Sequence, residues 1–477
     1  MNIVIDIGTS GYRGSIWTPT HIYSFDRTID RANGGAQAFY IENGWFYDAF
    51  MEVNDKKKNN NRIYDIHDIL RVLTDSSVDS DHLIRRRWSF GCTPTEAGDI
   101  ELTVTYGDVE HKVLLSHLIG DIITYIAKIV NSELHLVLNG VSLLVPWDYQ
   151  EAQFKLLRNS AEEAQMGRLQ LIDERIAAIL PYLYFGGIDR QDSMIFLFDY
   201  GESTLSFSFI RVWHGHVKIR SSRQLCSFAG RRINQLILKY ISLKYRRIAG
   251  SSLFEDVKDV DSLTAECEAA KIQLSVLPSV DLKLTAHGAK LDMSLRRQEL
   301  EALLLLPLNA IKEEIRDTLL NIQWTPESID HVIAVGGNSK IPAVREMLTR
   351  VFPYSEQEYC HRIHNPSTLG GSLLLENQTR NFMCNHLCYR VRCDDGSYIL
   401  VGQNTRMLTK EIMFVPIPGL KKNSQVILKL IVECCELKDL TPDIWNPPPD
   451  LSCQKGWSFV FGYHYNVDLK QASSYDE

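Results

Sequence analysis

Two short segments of the chain combine an aspartate with glycine and hydroxyl residues in a pattern typical of phosphate binding. In each segment an apolar run ends at an aspartate, which is Asp6 in the first and Asp199 in the second. The glycine and hydroxyl residues that follow these aspartates are Gly8, Thr9, Ser10, Gly201 and Thr204. Glycine lets backbone amides approach an anion closely, and hydroxyl groups donate hydrogen bonds to it. Glu202 departs from this pattern because it brings a negative charge to the second segment.

The two segments open two copies of one predicted structural unit. Residues 2–17 and 194–212 each read as an apolar strand, a glycine turn and a second strand that returns beside the first. Further strands and helical segments follow each copy. The economical interpretation is a pair of βββαβα units that face each other across a cleft, which gives an α/β fold.

Apolar residues recur at helical spacing in three later stretches. Helices are therefore predicted at residues 111–131, 148–166 and 263–277. The second helix is predicted to begin with Asp148 as its cap, just after Pro146. Residues 331–353 read as a buried strand, a glycine turn and a helix, so that Gly336 and Gly337 let the backbone approach a ligand.

The composition is that of a globular protein without an evident attraction to nucleic acid or membranes. Of 477 residues, 45% are hydrophobic and 23% are charged, and the net charge of −8 argues against nucleic acid or an anionic membrane as partner. No segment resembles a signal peptide or a membrane-spanning helix. Ten cysteines without a secretory signal indicate reduced thiols, which predicts a cytoplasmic location.

Several further segments follow in an order that a known family shares. They are LQLIDERIAAILPYLYFG, FAGRRINQLI, CEAAKIQLS, AVGGNSKIPAVREML and HNPSTLGGSLLL. Together with the segments at Asp6 and Asp199, they resemble the nucleotide-binding domain of the DnaK-type seventy-kilodalton heat-shock chaperones. The resemblance implies an actin-like ATPase fold, in which duplicated RNase H-like lobes surround a nucleotide cleft. It continues weakly into a small β-sandwich-like domain that has no helical lid here.

The predicted domain boundaries follow from this resemblance and from a change of pattern near residue 376, where helical periodicity gives way to short alternating strands. The expected parts are an actin-like nucleotide-binding domain over residues 1–376, with lobe I at about 1–185 and lobe II at about 186–376, then a linker over 377–385, a β-rich substrate-binding-like domain over 386–470 and a tail over 471–477.

The resemblance also implies roles for individual residues, with ATP or ADP and Mg²⁺ as cofactors. Asp6 and Asp199 match the acidic residues that hold magnesium through water, and Glu174 matches a glutamate near the magnesium and the attacking water. Five residues match the two phosphate loops: Gly8, Thr9, Ser10, Gly201 and Thr204. Six match the adenosine contacts: Glu268, Lys271, Ser275, Gly336, Gly337 and Lys340.

At several positions the chain departs from the family pattern. The lysine that positions the attacking water matches His67, and an aspartate just past the second phosphate loop matches Ser206. A basic residue that stacks on adenine matches Ile272, and a proline after the matched glutamate matches Arg175. Phosphoryl transfer depends on positioning and charge stabilisation, so these losses predict slow or absent hydrolysis. Glu174, Asp199 and His67 are the residues expected to act in any weak ATPase reaction that remains.

Three functions remain open from the sequence. The first is a divergent chaperone-like ATP-binding protein whose C-terminal β domain binds a peptide or protein client, with a J-domain co-chaperone or another protein as a further partner. The second is a pseudo-ATPase that serves as an interaction scaffold and is not a general chaperone. The third is an actin-like or sugar-kinase-like protein, which the β domain after residue 380 disfavours.

Overall fold

The computed structural model describes most of the chain up to residue 375 and five short strands beyond it. The described residues are 2–8, 11–17, 22–28, 39–42, 45–48, 69–70, 91–106, 109–138, 140–166, 169–185, 188, 192–213, 216–250, 253, 260–286, 289–359, 365–375, 388–392, 398–401, 412–414, 431–435 and 458–460.

Strands and helices alternate along these residues. The strands are β1 (Asn2–Gly8), β2 (Gly11–Trp17), β3 (Ile22–Thr28), β4 (Phe39–Glu42), β5 (Trp45–Asp48), β6 (Gly91–Pro94), β7 (Ile100–Tyr106), β8 (Val109–Leu114), β9 (Gly140–Val145), β10 (Leu169–Asp173), β11 (Asp192–Tyr200), β12 (Leu205–Trp213), β13 (His216–Gln224), β14 (Ser279–Ala286), β15 (Ala289–Arg296), β16 (His331–Val335), β17 (Glu356–Tyr359), β18 (Cys388–Arg392), β19 (Tyr398–Val401), β20 (Ile412–Phe414), β21 (Ile431–Cys435) and β22 (Ser458–Val460). The helices are α1 (Leu115–Leu134), α2 (Glu151–Glu163), α3 (Glu174–Tyr184), α4 (Gly230–Ala249), α5 (Val260–Leu274), α6 (Arg297–Asn321), α7 (Pro342–Val351) and α8 (Pro366–Leu375).

Two five-stranded sheets of the same order form the framework. The first sheet has the order β10-β9-β1-β2-β3, and the second has the order β13-β12-β11-β16-β17. In the first, β1 pairs antiparallel with β2 and parallel with β9; in the second, β11 pairs parallel with β16. The shared order confirms the predicted internal repeat, and we call the first sheet with its helices lobe I and the second lobe II.

Each sheet is covered by helices over its own apolar core. In lobe I, Ile3 and Ile5 of β1 pack with Ile119 and Ile122 of α1, and all four side chains are buried. Lobe II has an aromatic core in which the ring of Phe196 lies 4.6 Å from that of Phe352 and 5.0 Å from that of Phe209. Burial of a large apolar side chain contributes about 2 kcal/mol, so these clusters hold the strand ends in place.

Helix α8 follows lobe II in the chain but packs against lobe I. It contacts α3, β1, β2 and β9. A Cβ atom at Gly370 would overlap the carbonyl oxygen of Ala177, and one at Gly371 would lie 2.7 Å from Val4 Cγ1. Ser15 Oγ donates to the carbonyl of Thr368 at 3.1 Å. Helix α8 therefore packs so closely on lobe I that only glycine fits at positions 370 and 371.

Three local predictions need correction. The helix expected at residues 111–131 begins only at Leu115, because residues 109–114 form β8 and pair antiparallel with β7. The helix expected at 263–277 is α5, which begins and ends three residues earlier, at Val260 and Leu274. The cap of α2 is Gln150, which forms a capping box with Gln153. Asp148 instead accepts a hydrogen bond from Gln224 Nε2 at 2.8 Å.

Beyond residue 375 the structure describes strands only. β18 pairs antiparallel with β19 and β21, and β20 pairs with β22. The chain divides into two compact units. The first unit consists of Met1–Asp189, Ser193–Phe209 and Ser221–Glu376, and the second consists of Arg190–Asp192, Ile210–Arg220 and Asn377–Glu477. The linker expected at 377–385 lies outside the described residues, and the predicted domain boundaries stay predictions. Among the described residues, no helix is long and apolar enough to cross a membrane.

Candidate functional site

Acidic side chains from both lobes meet at the ends of the central strands. Asp6 lies on β1, Asp199 is the last residue but one of β11, and Glu174 is the first residue of α3. The pKa of Glu174 is raised well above its usual range by burial, and then by the charges of Asp199 and Asp6. The pKa of Asp199 is raised to about 6, again by burial first and then by Asp6. The three predicted acidic residues therefore lie within electrostatic reach of one another.

Arg13 adds a positive charge to this cluster. It lies on β2 directly opposite Asp6, and Arg13 Nη1 is 3.2 Å from Asp6 Oδ2. Its charge lowers the pKa of Asp199 against the larger effect of burial. The sequence predictions missed Arg13, although one signal was present: in a hairpin that turns at residues 9 and 10, positions 6 and 13 fall opposite each other.

A second arginine links the cluster to lobe II. Arg175 is buried, and its Nε donates to Asp173 Oδ1 at 3.0 Å while its Nη1 donates to Ser222 Oγ on β13 at 2.7 Å. Its guanidinium lies 5.2 Å from the centroid of the Trp147 ring. Asp173 also caps α3 by accepting from the Arg175 amide. The helix that begins with Glu174 is thereby attached to both lobes.

The second predicted phosphate loop is a tight turn held by its neighbours. The Gly201 amide donates to the Thr204 carbonyl at 2.9 Å, and the Gly201 carbonyl accepts from the Gly230 amide at 3.0 Å and from Asn338 Nδ2 at 2.8 Å. At the next residue, the carbonyl of Glu202 accepts from the backbone of α4 at 2.9 Å. These bonds hold the backbone of residues 201–204 in one conformation.

Glu202 is partly buried within this turn. Arg231 of α4 is buried, and its Nη2 donates to the carbonyl of Ser203 at 3.0 Å. The Arg231 amide donates to the Glu202 carbonyl. Arg231 therefore holds the backbone of the turn at two consecutive residues.

The two glycines of the predicted adenosine loop have different roles. Gly336 has φ +81°, and a Cβ there would lie 2.6 Å from the carbonyl carbon of Tyr200 and 2.7 Å from Asp199 Oδ1. A Cβ at Gly337 would meet nothing within 4 Å. Gly336 is therefore required for the backbone to pass beside Asp199, whereas Gly337 faces open space.

The remaining predicted adenosine residues lie on α5 and after β16, both in lobe II. Glu268 and Lys271 are buried, Ser275 is partly buried, and Ile272 is 60% exposed. Ser275 Oγ donates to the Lys271 carbonyl at 3.3 Å. Lys340 is exposed at the end of a 3-10 turn that begins at Gly337. That these side chains meet one ligand stays a prediction.

Three predicted residues lie outside the described part of the chain, namely Thr9, Ser10 and His67. Gly8 ends β1 at the turn, opposite Gly11. Ser206 lies on β12 and is 6% exposed, so the position matched to a family aspartate holds a buried hydroxyl group.

The acidic cluster has the chemistry that a hard divalent cation prefers, namely carboxylate oxygens whose crowding raises pKa values until positive charge is supplied. Among the described residues no three His, Cys, Asp or Glu side chains are placed to hold a metal ion together. A magnesium ion would therefore be held by Asp6 and Asp199 through water, as the resemblance implies.

Duplicated sheets with acidic strand ends and a glycine turn define a two-lobed α/β protein of the actin-like ATPase kind. The chain belongs to the Hsp70 family, because the family model described as Hsp70 protein matches residues 55–365. It is 28% identical over 216 residues to a chaperone protein dnaK of Cyanophora paradoxa, covering 44% of this chain and 34% of that protein.

Two plant proteins give similar matches. The chain is 28% identical over 216 residues, 44% of its length, to heat shock 70 kDa protein 6, chloroplastic, of Arabidopsis thaliana, covering 30% of that protein. It is 24% identical over 237 residues, 48% of its length, to heat shock 70 kDa protein, mitochondrial, of Solanum tuberosum, covering 34% of that protein. The matched part of the chain spans about a third of the length of these curated relatives.

Proposed function

We propose that this Hsp70-family chain is a chaperone-type protein that binds ATP or ADP with Mg²⁺ and hydrolyses ATP slowly or not at all. The observation that carries the proposal is the meeting of Asp6, Asp199 and Glu174, from both lobes, beside the glycine turn at Gly336. Carboxylates placed next to backbone amides and a close backbone approach suit a magnesium–phosphate ligand.

Each part of the site has a proposed role in holding this ligand. Asp6 and Asp199 hold the magnesium ion, whose bound charge offsets that of the phosphates. The turn at residues 201–204 offers backbone amides and the Thr204 hydroxyl to phosphate oxygens, and Gly337 leaves room for the nucleoside. Glu268, Lys271, Ser275 and Lys340 contact the ribose and adenine, as the resemblance implies.

Slow hydrolysis is proposed from the substitutions around Glu174, because phosphoryl transfer depends on groups that position the reactants and stabilise charge. Ser206 offers a buried hydroxyl where the family has an aspartate, and His67 stands where it has a lysine. Weak ATPase activity is the most that this set of residues supports.

For the C-terminal part we propose a peptide or protein client at residues 386–470, and a J-domain co-chaperone or another protein as partner. The alternating sequence of this region and its family position support the proposal. We also propose a cytoplasmic location, which rests on the ten cysteines, read as reduced thiols.

A second candidate is a pseudo-ATPase scaffold in which nucleotide is structural or absent. The buried network of Arg175 favours it, since protein side chains attach the start of α3 to β13. Such a protein would use its fold to present a binding surface.

Calorimetry separates these candidates. We expect the chain to bind ATP and ADP in Mg²⁺, and Asp199→Asn to weaken this binding at least about tenfold, or 1.4 kcal/mol. Asp192→Asn is the matched control, because Asp192 lies on the same strand in an exposed ion pair with Arg211. Absence of binding at millimolar ATP and ADP would contradict the proposal and favour the second candidate, the pseudo-ATPase scaffold.

A further inference from the structure

Arg13 is positioned by the hairpin that also carries the first predicted phosphate loop. β1 and β2 are antiparallel, with Asp6 opposite Arg13 and Gly8 opposite Gly11. Directly opposite residues of such a pair extend their side chains from the same face of the sheet. The Arg13 guanidinium therefore lies beside Asp6, with 3.2 Å between Nη1 and Oδ2, and only 26% of its side chain is exposed.

The charge of Arg13 acts across the cleft as well as on its own lobe. It lowers the pKa of Asp199, which belongs to lobe II. A guanidinium stays protonated at any physiological pH, so it is a permanent charge among these carboxylates. At the position matched to the lysine of the family the chain has His67, so that lysine's permanent charge is missing there.

The geometry assigns Arg13 as the fixed cation of the site, which binds the terminal phosphates of an adenine nucleotide. The planar fork of a guanidinium matches phosphate oxygens in pairs, and Asp6 holds this fork at the edge of the first loop. If Asp6 also held a magnesium ion through water, the Arg13 guanidinium would have a second acceptor in the phosphate. This inference rests on the proposed function and adds to it the residue that recognises the phosphate charge.

The test compares adenosine, ADP and ATP by calorimetry in EDTA, where no divalent cation hides the contribution of an arginine. We expect Arg13→Gln to weaken ATP binding at least about tenfold, to weaken ADP binding less, and to change adenosine binding less than about twofold. Arg13→Lys, which keeps the charge but lacks the fork, should recover part of the ATP affinity. If Arg13→Gln does not fold, Arg13→Lys is compared with the unmodified chain through the same three ligands.

Arg158→Gln is the matched control. Arg158 is also a partly exposed arginine of lobe I, but it pairs with Glu151 on α2 at 2.7 Å. We expect this control to bind all three ligands as the unmodified chain does. The inference is overturned if Arg13→Gln binds ATP within about twofold of the unmodified chain, or if it loses adenosine as strongly as ATP. An unmodified chain that binds neither ATP nor ADP in Mg²⁺ overturns the proposed function as well, which distinguishes the two failures.

Discussion

At the scale of single residues, the candidate site depends on charges that are costly to bury together. Glu174 and Asp199 have raised pKa values because burial and other carboxylates both disfavour their ionised forms. Arg13 and Arg175 offset part of this cost through contacts with Asp6 and Asp173. A site with such an excess of negative charge is stabilised by a cation, which is the physical basis for the proposed magnesium ion.

The raised pKa of Asp199 predicts a pH dependence of stability in EDTA. The folded-state pKa is about 6, above the ordinary value of 3.8, so the folded protein holds this proton more tightly than the unfolded chain does. The free energy of unfolding should therefore fall as the pH rises from about 4 to about 6, by at most about 3 kcal/mol from this group. Urea unfolding of the unmodified chain and of Asp199→Asn across this range measures the effect.

The comparison with Asp199→Asn isolates this group from other titrating residues. The variant should gain stability relative to the unmodified chain as the pH rises, and Mg²⁺ should reduce the difference. A stability difference that is constant between pH 4 and 7 would mean that Asp199 is not held in a buried, negatively charged environment.

The two neighbouring glycines predict opposite results for substitution. Gly336→Ala should destabilise the fold by about 2 kcal/mol or more, because it combines a positive φ with overlap onto the Tyr200 backbone. Gly337→Leu should leave the thermal midpoint nearly unchanged but weaken ATP binding at least about tenfold. Thermal unfolding and calorimetry of both variants check this pair, and normal ATP binding by Gly337→Leu would place the ligand elsewhere.

At the scale of elements, α3 connects the site to both lobes. Its first residue is Glu174, and its second, Arg175, contacts Asp173, Trp147 and Ser222. Gln224 and Asp148 add a second hydrogen bond between β13 and the segment after β9. These contacts fix β13 of lobe II against residues of lobe I.

The Arg175 network predicts a large loss of stability on truncation. Arg175→Ala leaves Asp173 without its buried partner, and we expect the free energy of unfolding to fall by about 3 kcal/mol. Arg316→Ala is the control, because Arg316 is 58% exposed in a surface pair with Glu313 and should cost less than about 1 kcal/mol. Chemical denaturation of both variants gives the comparison, and equal small losses would show that the Arg175 contacts do not hold the lobes.

The sequence predicts elements better than the contacts between them. The repeat was predictable because each copy has an apolar strand that ends in an aspartate followed by a glycine turn, at Asp6 and Asp199. The bond from Arg175 to Ser222 was not, since its partners lie 47 residues apart on different lobes. Residues 111–114 were predicted as helix because they directly precede the helical pattern of residues 115–131, but in the structure they belong to β8.

At the scale of the whole chain, the sequence just before the C-terminal strands predicts that nucleotide binding is weakly coupled to ligand binding by those strands. In the family, a leucine-rich linker docks on the ATPase domain in one nucleotide state and is released in the other. Residues 376–385 here read ENQTRNFMCN, which has no run of leucines to bury. Without apolar side chains to bury, the docked and released states of this segment differ little in free energy, so bound nucleotide can shift the equilibrium between them only slightly.

We therefore predict that ATP changes the affinity of residues 386–470 for a bound peptide by less than about tenfold, or 1.4 kcal/mol. Fluorescence anisotropy of a labelled apolar peptide with the full chain, in ATP, in ADP and without nucleotide, measures this. A hundredfold difference between the two nucleotides would show that the parts are strongly coupled.

The most direct test of the central claim is a single-turnover experiment, in which excess protein is mixed with labelled ATP and Mg²⁺ and the bound nucleotide is analysed over time. The account predicts that ATP binds and remains largely ATP over many minutes, and that His67→Lys with Ser206→Asp speeds its conversion. Conversion of most of the bound ATP to ADP by the unmodified chain within about a minute or less would contradict it.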